Sequence, residues 1–288
     1  MRRPRALAPR VSGAPLLDGW PTHRPVALLA LVSGGDPRGP GVIRRAFEGD
    51  GVGPWWTAVS ENMVVGPSTE APFDHWHLVQ CPSAAAARDV LSELEAERSE
   101  ADITLLALDP MPARALRIAA ATRFVLARLP KPRLGDDFHA EHATGGVNPT
   151  PEQADHLFGL EREGPLLVLN LNLHKQRGIH PETGEEASGR ELAGLYFKKG
   201  FSTFMRLGAR VGWAGSCRGA LLGEGDTARW DQVGLIVYPS RQSFLDFMRV
   251  PSYVESSIYR TAGLERSWVV HSRAIAASAH GDVAPPHV

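Results

Sequence analysis

The feature that most constrains this chain is an internal repeat. Phe73 to Ser83, read as Phe-Asp-His-Trp-His-Leu-Val-Gln-Cys-Pro-Ser, lies without a gap on Trp230 to Ser240, Trp-Asp-Gln-Val-Gly-Leu-Ile-Val-Tyr-Pro-Ser. The match runs on into helical segments in which Asp89 meets Asp246, and upstream Pro25 to Leu31 pairs with Pro165 to Leu171. A repeat of this kind means that two related modules share one chain, and missing it would misassign the whole fold. The second copy is longer between the two matched stretches, by about the size of a polar loop at 177–190. Differences between the copies then indicate which one carries a site.

Composition narrows the class. The chain has 288 residues, 43% hydrophobic and 22% charged, enough to bury a proper core. A net charge of -1 offers no general basic excess for phosphate neutralisation, so a nucleic-acid partner is not expected. Cys81 and Cys217 are too few for a disulfide framework, which points to a reducing cytoplasm. The N-terminus has Arg2, Arg3, Arg5 and Arg10 but is broken by Pro4, Pro9 and Pro15, with no apolar core of a secretory signal behind it. No run approaches the ~20 apolar residues of a membrane span, so no membrane partner is expected.

The second copy reads clearly. Leu166 to Leu173 is a buried strand, 177–190 a Gly/Pro/Glu-rich loop, Leu192 to Leu207 a helix, and Arg210 to Leu222 a glycine-rich strand. Asp231 to Tyr238 is the next strand, Ser240 caps a helix carrying Phe244, Phe247 and Met248, and Trp268 to His271 closes the unit. The order is β-α-β-β-α-β, the ferredoxin-like arrangement. In the first copy the strands fall at Val26 to Val32, Met63 to Val65, Trp76 to Gln80 and Ile103 to Leu108, with a helix from Ser83 to about Glu97. Between the copies come a helix, Ala113 to Leu129, a Pro/Gly/His linker, and a short helix opening at Pro151 with Thr150 as its cap. The expected domains are a disordered tail 1–24, a first unit 25–110, a helix and linker 111–150, a second unit 151–275 and a tail 276–288.

The second copy resembles a bacterial family of uncharacterised proteins within the dimeric α/β-barrel superfamily. The resemblance rests on Asn148-Pro149-Thr150-Pro151-Glu152-Gln153 leading into Gly164 to Leu171, on Trp230-Asp231, on Tyr238-Pro239-Ser240-Arg241, and on Tyr253 followed by Tyr259-Arg260. It covers roughly half of the chain. It implies an α+β fold in which two tandem ferredoxin-like units pair sheet to sheet, closing a barrel within one chain. The superfamily includes cofactor-free monooxygenases, polyketide cyclases, isomerases and haem enzymes such as aldoxime dehydratases and dye-decolourising peroxidases. Such a spread leaves the reaction open.

Strand parity supplies the local clue to a site. From Leu166, the residues Leu167, Leu169, Leu171 and Leu173 point one way, and Val168, Asn170, Asn172 and His174 the other. The leucine face is expected on the helices and the Asn/His stripe inside the barrel. At the matched positions the first copy has Ala30, Val32 and Gly34, so the pocket is expected to belong to the second copy. The alternative is that the Asn amides merely serve neighbouring backbone groups. The expected catalytic residues are Asn170, Asn172, His174, Tyr253 and Arg260, with Tyr196, Tyr238 and Arg241 binding substrate. The loop at 177–190 is expected to act as a lid.

His75 and His77 share a strand face and could ligate a metal with His139 and His142, although an aromatic strand end and a polar linker explain them as well. Cys81 near a helix start lacks an identifiable base partner for nucleophilic work. No cofactor motif is visible, and haem is the alternative, with His156 or His174 as axial ligand. The resulting expectation is an enzyme of the oxygenase, isomerase or cyclase type, monomeric or homodimeric, acting on a largely apolar metabolite in the barrel. The competing expectations are a haem enzyme and a non-catalytic small-molecule binder.

Overall fold

Val26 to Val32 is apolar throughout because it is covered on both faces and both edges. In the computed structural model, which describes residues 14–21, 24–34, 53–96, 102–135, 146–161 and 163–275, it forms strand β1 (Val26–Ser33). β1 hydrogen-bonds antiparallel strands on both sides, β3 (His75–Cys81) and β4 (Asp102–Pro110). The matched strand β5 (Leu166–His174) is likewise central, between β9 (Gln232–Tyr238) and β10 (Leu264–Ala274). With β2 (Gly53–Val65) and β8 (Arg210–Leu222) these strands close an eight-stranded antiparallel barrel in the order β1-β3-β2-β10-β5-β9-β8-β4. The first four strands stand together as β4-β1-β3-β2 and the last four as β10-β5-β9-β8, so the two seams are β2 on β10 and β4 on β8.

The described residues also form seven α-helices, giving a mixed α+β fold. Helix α1 (Ala14–Asp18) packs on α2 (Ala84–Ala96), which covers β1 and β3; α3 (Ala113–Leu126) packs on β8 and on α5 (Gly189–Arg206); α4 (Pro151–Gly159) packs on β2; and α5, α6 (Arg241–Met248) and α7 (Pro251–Gly263) cover the last four strands. Caps fix where these helices start. Thr150 and Ser188 both make reciprocal capping boxes, with Gln153 and Glu191, and Ser240 accepts from the Ser243 amide. No helix among the described residues is long and apolar enough to cross a membrane.

Three apolar clusters follow from this layering. The barrel interior gathers side chains from all eight strands, including Leu29, Trp76, Leu106, Leu169, Trp213, Leu235 and Trp268. An eight-stranded barrel is about wide enough for side chains alone to fill it. A second cluster sits beneath α2, and a third joins α4, α5, α6 and the outer face of β5.

Several expectations need correction. β2 spans thirteen residues rather than three, and β10 eleven rather than four, because each forms a barrel seam and must reach the other half. Pro251–Gly263 is a full helix that the sequence reading passed over, with Pro251 at its first turn. Within the expected N-terminal tail, Leu17 of α1 and Trp20 of the turn after it are buried in the cluster beneath α2, and Arg88 donates to Asp18 at 2.9 Å. The segment at 177–190 is no free lid. It forms a hairpin, β6 (Gly178–Ile179) and β7 (Glu186–Ala187), pinned to α5 by Lys199 on Glu182 at 2.9 Å and to α7 by the His180 ring against Tyr259.

Candidate functional site

Strand parity in β5 separates the residues as expected, but the two faces are exchanged. Leu167, Leu169, Leu171 and Leu173 point into the barrel, where they meet Trp230, Val233, Trp268 and the first-half residues Leu29 and Leu78. Val168, Asn170 and Asn172 face the helices. The physical reason is that the interior, shared by both halves, is filled mainly by large apolar side chains, and the Ser272 hydroxyl there is already taken by Trp76 Nε1 at 2.9 Å. The helix side has such partners in Ser267 and Arg260.

Between this outer face and the helices lies a cavity of about 480 Å³. Its floor is Val168, Asn170 and Asn172 of β5 with Gln232, Gly234, Ile236 and Tyr238 of β9. Gly234 stands directly opposite Asn170 in the strand pairing, and a Cβ there would find only the Asn170 Cβ, 4.0 Å away. The missing side chain therefore opens the floor. Phe197, Phe201 and Phe204 of α5, Phe244, Phe247 and Met248 of α6, and Tyr253 of α7 form apolar walls. Ala115, Ile118, Ala119 and Thr122 of α3 close one side. Such a volume lies in the usual range for small-molecule sites.

Polar groups gather at one end. Asn172 Oδ1 accepts from Ser267 Oγ at 2.7 Å, and Ser267 Oγ accepts from Arg260 Nη2 at 2.6 Å. Arg260 Nε donates to the Val147 carbonyl at 2.6 Å, and the guanidinium carbon lies 5.4 Å from the centre of the Tyr196 ring. Arg260 is buried, yet no carboxylate pairs with it among the described residues. A buried cation without a counter-ion is costly and marks a place where an electron-rich group is welcome. Tyr196 and Tyr253 are 6.3 Å apart, centre to centre. Burial pushes the Tyr253 and Tyr238 phenols above their ordinary value, and the nearby Tyr196 pushes both further. Both therefore stay protonated donors at neutral pH. Asn170 Nδ2 folds back onto the Val168 carbonyl at 3.1 Å, as the backbone-serving alternative anticipated.

Six expected site residues are thus brought together: Asn170, Asn172, Tyr196, Tyr238, Tyr253 and Arg260. Three others are not. Arg241 turns from the cavity to donate to Glu61 at 2.5 Å and to the Glu161 carbonyl at 3.1 Å, so it needs no anionic ligand. His174 sits beyond the stripe, its backbone amide donating to Asp231 at 2.8 Å; burial pushes its imidazole down, against Asp231 and Gln232, which push it up. His156 is exposed on α4.

His75 and His77 are buried together on the helix side of the first half, with ring centres 5.3 Å apart. Thr57 Oγ1 and His77 Nδ1 are 3.1 Å apart, and burial, helped by His75, holds the His77 imidazole down at about 3. No cluster of three metal-binding side chains occurs among the described residues, and His139 and His142 lie outside them. Cys81 is buried and its thiol is pushed up to about 12 by that burial, which disarms it as a nucleophile.

Sequence reasoning missed Gln232, Arg190 and the α3 side of the cavity. Gln232 was within reach, since it shares strand parity with Tyr238. Arg190 and α3 carry no such signal, because helices bring them in from elsewhere in the chain.

No protein-family model and no curated protein matches the chain. Among solved structures, RPA0582 from Rhodopseudomonas palustris, a protein of unknown function, is 33% identical, covering 44% of this chain and 95% of its own, with a TM-score of 0.40. Its methylated form matches at 32% identity, 44% and 93% coverage, and a TM-score of 0.41. A protein of Lactobacillus acidophilus NCFM, designated a candidate monooxygenase, matches at 9% identity over 87% of this chain and 94% of its own, with a TM-score of 0.39. A likeness at that last level says nothing about chemistry. Over the part matched at 33% identity, the chain belongs to the same family as RPA0582 of Rhodopseudomonas palustris.

Proposed function

We propose that this protein is a small-molecule enzyme whose ligand is largely apolar and carries an oxygen that is anionic or becomes so during reaction. The observation that carries this reading is Arg260, a buried guanidinium without a carboxylate partner, beside protonated Tyr253 at the polar end of an aromatic-walled cavity. An enolate, phenolate or carboxylate oxygen would meet donors there, and the apolar body would lie against the Phe197, Phe204 and Phe247 rings. Preorganised donors aimed at a developing oxyanion are a large source of catalysis. That chemistry suits oxygenase, isomerase or cyclase reactions that pass through an enolate.

The tandem ferredoxin-like origin of the barrel belongs to the same proposal. Its support is that both halves have the strand order fourth-first-third-second, with matching seams. Haem held by His156 or His174 does not fit this cavity, since neither residue lines it.

A second reading, a non-catalytic binder, is favoured by one observation. No carboxylate, thiol or imidazole stands among the described lining residues, so no side chain there is an evident general base. Calorimetric titration with apolar carboxylates and phenols tests the site itself. Asn170→Ala with Asn172→Ala, and separately Tyr253→Phe, should weaken binding about tenfold, the loss of one or two hydrogen bonds. Unchanged affinity in both variants contradicts the placement.

A further inference from the structure

Helix α3 and the turn after it form a surface that neither the fold nor the cavity explains. Its inner side closes the cavity, yet none of its residues is buried. Its outer side exposes large apolar groups: Phe124 is 65% exposed, Val125 60% and Leu129 47%. Arg114, Arg117, Arg128, Lys131 and Arg133 are exposed on the same stretch. From Pro110 to Gly135 the sequence contains no acidic residue, although the chain as a whole carries -1. Cations and apolar side chains therefore interleave on one exposed strip. The Arg128 guanidinium stacks 3.5 Å from the centre of the Phe124 ring, which keeps that ring at the surface under a cation.

We propose that this strip docks the protein on an anionic membrane surface. A water-facing helix gains nothing from exposed Phe124 and Val125, whereas a bilayer interface accepts them. Arginine stems lie along the apolar layer while their guanidinium groups reach the headgroups. A purely polyanionic partner, such as a nucleic acid, would use the cations and leave the apolar groups in water. A second copy of this chain would bring the same five cations face to face, which is repulsive. Charge complementarity therefore selects anionic lipid over both. Docking of this kind lies flat in the interface and needs no spanning segment. It does not depend on what the cavity binds, though it would place the α3 side of that cavity against the lipid.

The test is sedimentation of the intact protein with vesicles of phosphatidylcholine alone or with 30% phosphatidylserine, about that fraction being enough to set a negative surface potential. Binding to the serine-containing vesicles only, weakened by salt, is expected. Each surface cation contributes about fivefold to such partitioning, so Arg117→Glu with Arg128→Glu should reduce it more than about twentyfold. Phe124→Ser with Val125→Ser should reduce it about tenfold or more while leaving the unfolding temperature unchanged. Equal binding to both vesicles, no binding to either, or loss with the arginine pair but not the apolar pair would overturn the proposal. The last result would point to a polyanion instead. Self-association in solution that is abolished by Phe124→Ser with Val125→Ser would also overturn it. Ligand titration of the same variants keeps this test separate from that of the cavity.

Discussion

Arg260 and Asn172 are joined through a single hydroxyl: Ser267 Oγ receives Arg260 Nη2 at 2.6 Å and donates to Asn172 Oδ1 at 2.7 Å. The relay ties α7 to β5 through β10 and turns the Asn172 amide toward the cavity. Ser267→Ala leaves the buried guanidinium one partner short and frees Asn172 to rotate. A loss of about 2 kcal/mol in unfolding free energy is expected, the scale of a hydrogen bond to a charged group. Ligand affinity should fall with it. Chemical denaturation and titration of the one variant check both, and an unchanged stability would mean that the relay carries no strain on removal.

Gly234 tests the cavity without touching its polar end. The open space at its Cβ position accepts a side chain, so Gly234→Val should fold normally and gain up to about 1 kcal/mol from strand propensity. The added methyl groups would occupy the cavity floor and should reduce ligand affinity at least about tenfold. Retained stability with lost binding is the expected pair of results.

The Arg241 pairing with Glu61 crosses the seam between the last and first four strands, which makes it a structural link. Glu61→Gln should cost about 2 kcal/mol, less than a fully buried pair because the carboxylate is 30% exposed. Ligand affinity should not change. A variant that binds less ligand at unaltered stability would restore Arg241 to the site.

Buried histidines set the pH dependence. Burial holds the His77 imidazole at about 3 and pushes His271 well down, so both stay neutral in the folded protein while the unfolded chain takes up protons below about 6.5. The unfolded state then binds more protons, and stability falls as pH falls from about 6.5. His77 alone should account for about 2 kcal/mol between pH 7.5 and 5. Denaturant unfolding at those two values measures it, and His77→Gln should flatten part of the slope. Stability that stays level or rises over this window would contradict the neutral state assigned to His77.

The central strands were legible because the sequence match lays β1 on β5 and β3 on β9, and all four are strands of the barrel. Parity likewise grouped Asn170 with Asn172 correctly. Which face looked inward was not legible, since alternation along a strand separates the leucine face from the asparagine face without saying which lies inside, and only the assembled barrel shows that leucines fill its interior. Arg241 was misread because its partner, Glu61, is distant in sequence and comes from the other half. The basic, apolar strip on α3 was passed over for a different reason. A search for spanning length does not see a helix that lies on a surface.

The most direct test of the account is a structure of the protein with a bound apolar carboxylate or phenol. The ligand oxygen should lie about 3 Å from Arg260, Tyr253 or Asn172, with its apolar part between β5, β9 and the phenylalanines of α5 and α6. A ligand seated among the leucines and tryptophans inside the barrel, or on the first half beside His75 and His77, would contradict it.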